Sequence, residues 1–110
     1  MARVITAYRT PKDKAAFDQH YFDTHVPLTQ LLPGLRKYEV LQGPGAIDNP
    51  EFHLVETCHF DDVRSAERAL ASPQGKAAEA DRRILAPGEE DVVMFLTDSS
   101  DMVFSDAIEM

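Results

Sequence analysis

The chain has no tryptophan and a single cysteine, Cys58, so no internal disulfide can form. Spacings that make zinc sites are missing as well: His20 and His25 stand five apart, and His53 and His59 six apart. Basic residues are few, 11 against 19 acidic ones, and the formal net charge is -8. That balance argues against nucleic acid and anionic membrane surfaces as partners. No apolar run approaches the length of a membrane span, and the residues after Met1 show no signal-peptide h-region, so the expected location is cytoplasmic. Glycine is sparse too. Gly43-Pro44-Gly45 is too short and too rigid for a phosphate loop and reads as a hairpin turn. With 110 residues there is room for one domain, or for one half of an obligate dimer.

The most informative stretch runs from Phe17 to Gly34. Phe17, Tyr21, His25, Leu28 and Leu32 recur at steps of four, four, three and four, which places them on one face of a helix. Tyr21 and His25 carry polar groups into that apolar stripe. Pro27 lacks an N–H and restricts Val26, so His25 is expected at a helix end or kink, where a side chain can line a pocket.

The remaining elements follow in order. Residues 3–9 read as a strand. Thr10 reads as a helix N-cap, with Pro11 as the first helical residue and Asp13 as the acid of a capping box. The helix is expected to reach Val26, with a further turn over 28–32, and Pro33-Gly34 stops it. Strands are expected over 35–42, 51–60 and 92–96. Along the third, Phe52, Leu54, Glu56, Cys58 and Phe60 share one face and His53, Val55, Thr57 and His59 the other. Asp61 or Asp62 caps a helix with Val63, Ala66, Ala69 and Leu70 inward, and Ser72-Pro73 starts another that runs to Leu85.

The order β-α-β-β-α-β is the ferredoxin-like α+β pattern: a four-stranded antiparallel sheet with both helices on one face. The fourth strand is apolar on both sides. One side packs on helices, and the other faces water unless it is covered. The expectation is a homodimer in which two sheets form a dimeric α+β barrel. Residues 1–97 make the domain, and residues 98–110 make a C-terminal tail whose Met102, Val103, Phe104 and Ile108 suit docking either on the body or on the partner subunit.

His25 has two readings: a buried histidine bonded to a carbonyl or carboxylate near the kink, or a general acid–base group in a pocket between helix and sheet. Cys58 is either a small core residue or a nucleophile or proton carrier activated by a histidine. Tyr8, Tyr21 and Tyr38 are core aromatics or the lining of an aromatic pocket. His20, His53 and His59 read as surface or interface residues.

The run Pro11, Asp13, Phe17, His20, Tyr21, His25, Pro27 and Leu28, followed by Leu32-Pro33-Gly34-Leu35 and Tyr38, resembles the EthD family. So does Phe60-Asp61 followed by Ala69-Leu70-Ala71-Ser72-Pro73 and Gly75. The resemblance implies a dimeric α+β barrel, often with a general oxidoreductase label. Other members resemble cofactor-free isomerases, cyclases, dehydratases and decarboxylases of lactones or polyketides.

The methylmuconolactone methylisomerase branch is similar at three positions. His25 stands eight residues before Pro33, Tyr38 lies in Lys37-Tyr38-Glu39-Val40, and Cys58 stands two before Phe60. The resemblance implies His25, Cys58 and Tyr38 as catalytic residues. Tyr8, Tyr21 and Leu28 are the candidate substrate-binding residues. The expected function is cofactor-independent proton transfer on a small cyclic carbonyl compound, with a small-molecule substrate and no cofactor. The rivals are a binding module for a small hydrophobic metabolite and a haem-linked barrel with His25 as axial ligand.

Overall fold

The computed structural model of the chain describes residues 1–100. The elements run β1 (Ala2–Arg9), α1 (Lys14–His20), a π-helical turn (Tyr21–His25), α2 (Val26–Thr29), β2 (Lys37–Gln42), β3 (Phe52–Phe60), α3 (Val63–Ala71), α4 (Pro73–Leu85), a 3₁₀ turn (Glu89–Asp91) and β4 (Val92–Asp98). The strands form one antiparallel sheet in the order β2-β3-β1-β4. This is the ferredoxin-like arrangement, with β1 and β3 central.

Register places the candidate side chains. Val4 lies across from Cys58, Thr6 across from Glu56 and Tyr8 across from Leu54. Alternation along β1 buries Ala2, Val4, Thr6 and Tyr8 and leaves Arg3, Ile5, Ala7 and Arg9 half-buried on the other face. Two apolar clusters form on the helix-covered side. Phe60 packs with Ala2, Val4, Leu32, Cys58, Ala66 and Ala69. Tyr21 packs with Tyr8, Phe17, Leu54 and Ala86. Thr6 on β1, Glu56 on β3 and Thr29 on α2 each fall between members of the two clusters along the chain, so a buried polar band separates them.

The first helix departs from the sequence reading in three ways. Its N-cap is Asp13, whose side chain accepts from the Ala16 N–H at 3.0 Å, so Thr10 and Pro11 lie outside the helix. Val26 is helical (φ -57°, ψ -50°) in spite of Pro27. The chain absorbs the proline with the wider π turn just before it, a common answer to a carbonyl that a proline ring displaces. The wider turn also adds a residue per turn. The buried stripe is therefore Phe17, Tyr21, His25, Thr29 and Leu32, with Leu28 half-buried beside it.

Other boundaries shift by one or two residues. β2 begins at Lys37 and β3 at Phe52. β4 extends past Leu96 to Asp98, and the Ser99 N–H donates to the Met1 carbonyl at 3.0 Å. The start of the expected tail is thus part of the sheet edge, and residues 101–110 lie outside the described residues. Asp62, not Asp61, caps α3, and Ser72 caps α4. Leu70, expected inward, is 39% exposed. His53 and His59 are buried rather than on the surface. A register shift between Tyr8 and Arg9 frees His53 from strict alternation. Its ring meets Phe17 edge-on and its Nε2 lies 2.7 Å from Asp18. The His59 ring is held by Glu39.

Gly34 and Gly75 are glycine for different reasons. Gly34 has φ +78° and turns the chain from α2 towards β2. At Gly75, a Cβ would fall 2.2 Å from the Ala69 carbonyl oxygen, so α4 crosses the end of α3 only because no side chain is there.

Candidate functional site

The sheet and the helices enclose a cavity of about 180 Å³. Val4, Thr6 and Tyr8 form its β1 wall, Glu56 and Cys58 its β3 wall, and His25 reaches in from the π turn. Its mouth lies beside Leu70 and Met94, which are 39% and 43% exposed.

The π turn directs Tyr21 and His25 to the same buried side. His25 is 3% exposed, and both ring nitrogens face carboxylates. Nδ1 lies 3.0 Å from Asp81 Oδ2, and Nε2 lies 3.5 Å from Glu56 Oε1. Only an imidazolium presents an N–H to each partner at once. Burial opposes that charge, but the hydrogen bonds and charges of Glu56 and Asp81 outweigh it and raise the His25 pKa.

The network extends in both directions. Glu56 Oε1 accepts from the Tyr21 hydroxyl at 2.9 Å, and that hydroxyl lies 2.6 Å from the Tyr38 hydroxyl. Asp81 Oδ1 lies 2.8 Å from His20 Nε2, and the His20 side chain is 31% exposed. A continuous chain Tyr38–Tyr21–Glu56–His25–Asp81–His20 therefore links the sheet interior to the surface. Burial, then the Glu56 carboxylate, hold Tyr21 and Tyr38 well above the ordinary phenol range.

Cys58 lines the same cavity, where burial and then Glu56 push its thiol up to about 12. It is a neutral thiol at physiological pH, and among the described residues no hydrogen bond joins it to His25. Of the residues singled out from sequence, His25, Cys58 and Tyr8 are on the cavity wall. Tyr21 and Tyr38 stand behind Glu56. Leu28 is not on the wall; Thr29 is.

Sequence reasoning passed over Glu56, Asp81 and Thr29. Glu56 carried a signal, an acid in the middle of an otherwise apolar strand face. Asp81 stands four before Leu85 on α4, a helical spacing that also pointed inward. Thr29 also carried a signal, as it continues the steps of four after His25, but apolar Leu28 at a step of three was the stronger candidate. At the cavity edge Arg82 pairs with Glu79 at 2.8 Å, which holds the Glu79 carboxyl below its usual range. With both His25 nitrogens engaged, neither is free to bind iron. Among the described residues no group of three or more such side chains is arranged to hold a metal ion, and no helix is long and apolar enough to cross a membrane.

A ferredoxin-like α+β domain with an acid-flanked histidine over a small cavity defines the class. Residues 9–89 match the model of the EthD domain, and the chain belongs to the EthD family. It is 36% identical over 99 residues to an 11.0 kDa protein of the thcB–thcC intergenic region of Rhodococcus erythropolis, spanning 89% of this chain and 94% of that one. It is also similar to the crystal structure of an EthD family protein of Bacillus halodurans. The identity there is 34% and the TM-score 0.82, over 91% of this chain and 99% of the other. A cofactor-independent oxygenase of Streptomyces nogalater shares the fold at 17% identity and TM-score 0.65, over 93% and 95% of the two chains. At that identity the likeness concerns the fold alone. Solved structures of the same fold include dimeric ferredoxin-like proteins.

Proposed function

We propose that this chain is a cofactor-independent enzyme that moves a proton on a small cyclic carbonyl compound, in an isomerase, cyclase or dehydratase type of reaction. The observation that carries it is His25, held between two buried carboxylates on the wall of the cavity. Glu56 is a proton acceptor facing the cavity, and the His25 imidazolium beside it is a proton donor. A proton taken from the carbon next to a carbonyl by Glu56, and one returned by His25, leaves the substrate isomerised and the pair exchanged. Glu56 then passes its proton to His25 Nε2, 3.5 Å away, which resets the pair, and Asp81 and His20 link the imidazole to solvent for exchange. Tyr21 and Tyr38 act through Glu56, as positioning residues. Cys58 serves as a neutral wall or a proton donor, since its thiol is held protonated. The spacing shared with the methylmuconolactone methylisomerase branch at His25, Tyr38 and Cys58 supports the isomerase form.

Deuterium exchange into simple model compounds tests this directly. Cyclohexanone and simple lactones, incubated with the protein in D₂O, are followed by NMR for label entering next to the carbonyl. Catalysed exchange is expected, with His25→Gln and Glu56→Gln each slowing it by ~10²–10⁴-fold. Exchange at the uncatalysed rate for every compound tried would sink the reading.

The second reading, a binding module without turnover, is favoured by one observation. The ionic cluster is internally satisfied and Cys58 is not activated. It predicts tight binding with no exchange. We propose further that the chain is a homodimer. Ile5, Ala7, Leu41, Val55, Val93 and Phe95 lie on the face of the sheet away from the helices, where Leu41 is 46% and Phe95 52% exposed. A second copy would cover them.

A further inference from the structure

We propose that Tyr8 and Thr29 are the ligand-recognition pair of this cavity, and that they take the carbonyl oxygen of an uncharged compound with a single ring. This rests on the reading of the cavity as a small-molecule site and narrows it. Nearly every other polar side chain buried here is accounted for: His25, Glu56, Tyr21 and Asp81 satisfy one another. The Tyr8 hydroxyl and Thr29 Oγ1 do not. Both are buried, at 1% and 2% exposure, and neither makes a hydrogen bond of good geometry, although Thr29 stands close enough to the Tyr38 hydroxyl to oppose the rise in that phenol's pKa. Both residues line the cavity. An unmet buried hydroxyl costs stability, and two on one cavity wall are what remains when a site is shaped for a group that arrives from outside.

The chemistry of the two hydroxyls sets the group. Burial and the nearby Glu56 carboxylate hold the Tyr8 phenol far above its ordinary range, so it acts as a donor. Threonine donates equally well. Two donors suit one oxygen acceptor, a ketone or lactone carbonyl. Size sets the rest: a cavity of about 180 Å³ is close to the ~150 Å³ known to admit a benzene-sized ring, so one ring fits within it. Larger substituents must leave through the mouth beside Leu70 and Met94. Charge disfavours an anion. The ionisable groups on the wall are Glu56, Glu79, His25 and Arg82, which sum to zero, and Asp81 behind His25 adds a negative charge. A carboxylate ligand would meet three acids and find its two cations already paired.

The test is binding to the full chain, monitored by protein NMR during titration with cyclohexanone, toluene and cyclohexanecarboxylate. Cyclohexanone is expected to bind more tightly than the other two, with shifts centred on the cavity. Tyr8→Phe and Thr29→Val are each expected to weaken cyclohexanone by about five- to tenfold and to leave toluene unchanged or tighter. Neither variant is expected to lower the thermal midpoint of the free protein, since no internal bond is lost. His25→Gln should keep the preference for cyclohexanone over toluene, so failure of proton transfer and failure of this recognition are read separately. The inference is overturned if the carboxylate or toluene binds as tightly as the ketone. It is equally overturned if both variants keep the wild-type preference, or if removing either hydroxyl destabilises the free protein.

Discussion

At the residue scale, the chemistry of the site follows from which groups share a desolvated wall. His25 titrates above its free value because Glu56 and Asp81 face it from β3 and α4 and overcome the cost of burial. A base raised on folding stabilises the fold while it is protonated in both states. That contribution is complete below the free histidine value of ~6.5 and is lost as pH rises through the higher folded value. Thermal melts across this window should show the native protein losing stability relative to His25→Gln as pH increases. A difference that does not vary with pH would mean that folding leaves the histidine titration unshifted, and one that grows with pH that the imidazole is neutral in the fold. Cys58 offers an independent check. With its thiol at about 12 and 2% exposed, it should react with a disulfide reagent at about pH 8 orders of magnitude more slowly than an unfolded cysteine, and at the ordinary rate once denatured. Rapid labelling of the native protein would show an activated or accessible thiol and restore the nucleophile reading.

At the scale of the elements, the π turn and the helix crossing decide what the cavity contains. Pro27 cannot donate to the preceding turn, and the widened turn over Tyr21–His25 brings Thr29, not Leu28, into the interior. One extra residue in one turn thus replaces an apolar wall with a hydroxyl. The α3–α4 crossing is equally specific. Ser72 closes α3 and opens α4, and Gly75 passes against the Ala69 and Leu70 carbonyls. Gly75→Ala puts a methyl group onto backbone, so neither side can yield cheaply. A loss of about 1–3 kcal/mol is expected in chemical denaturation. The cavity that Gly75 lines should shrink with it, weakening ligand binding. A variant as stable as the parent would mean that the two helices move apart without cost.

At the scale of the molecule, the sheet has one covered face and one open one. The helices occupy the side of Val4, Tyr8, Leu54 and Phe60, while Ile5, Val55, Val93 and Phe95 are left opposite. Apolar area of this kind is worth roughly 25 cal/mol per Å² when covered, which is the physical ground for the proposed face-to-face pairing of two copies. Sedimentation velocity at micromolar concentration should show a dimer, and Phe95→Asp should move it to monomer because the charge would be buried in the shared core. A native protein that sediments as a monomer would rule the pairing out.

Composition, turn residues and the alternation along each strand were enough to establish the element order, the antiparallel sheet, and the half of the sheet that helices cover. These are local or periodic properties, and each residue carries its share of them. His25 stood out for the same reason, as a polar group on an apolar stripe. The partners of His25 were beyond that reach. Glu56 is 31 residues away and Asp81 is 56, and only the pairing of β3 with β1 and the packing of α4 over the π turn bring them to its two nitrogens. The choice of Thr29 over Leu28 for the interior was made by the π turn, and the neutrality of Cys58 by the burial around it. Proximity and desolvation are properties of the folded whole, so the identity of candidate residues was legible in the chain, and their charge states and roles were decided by tertiary packing.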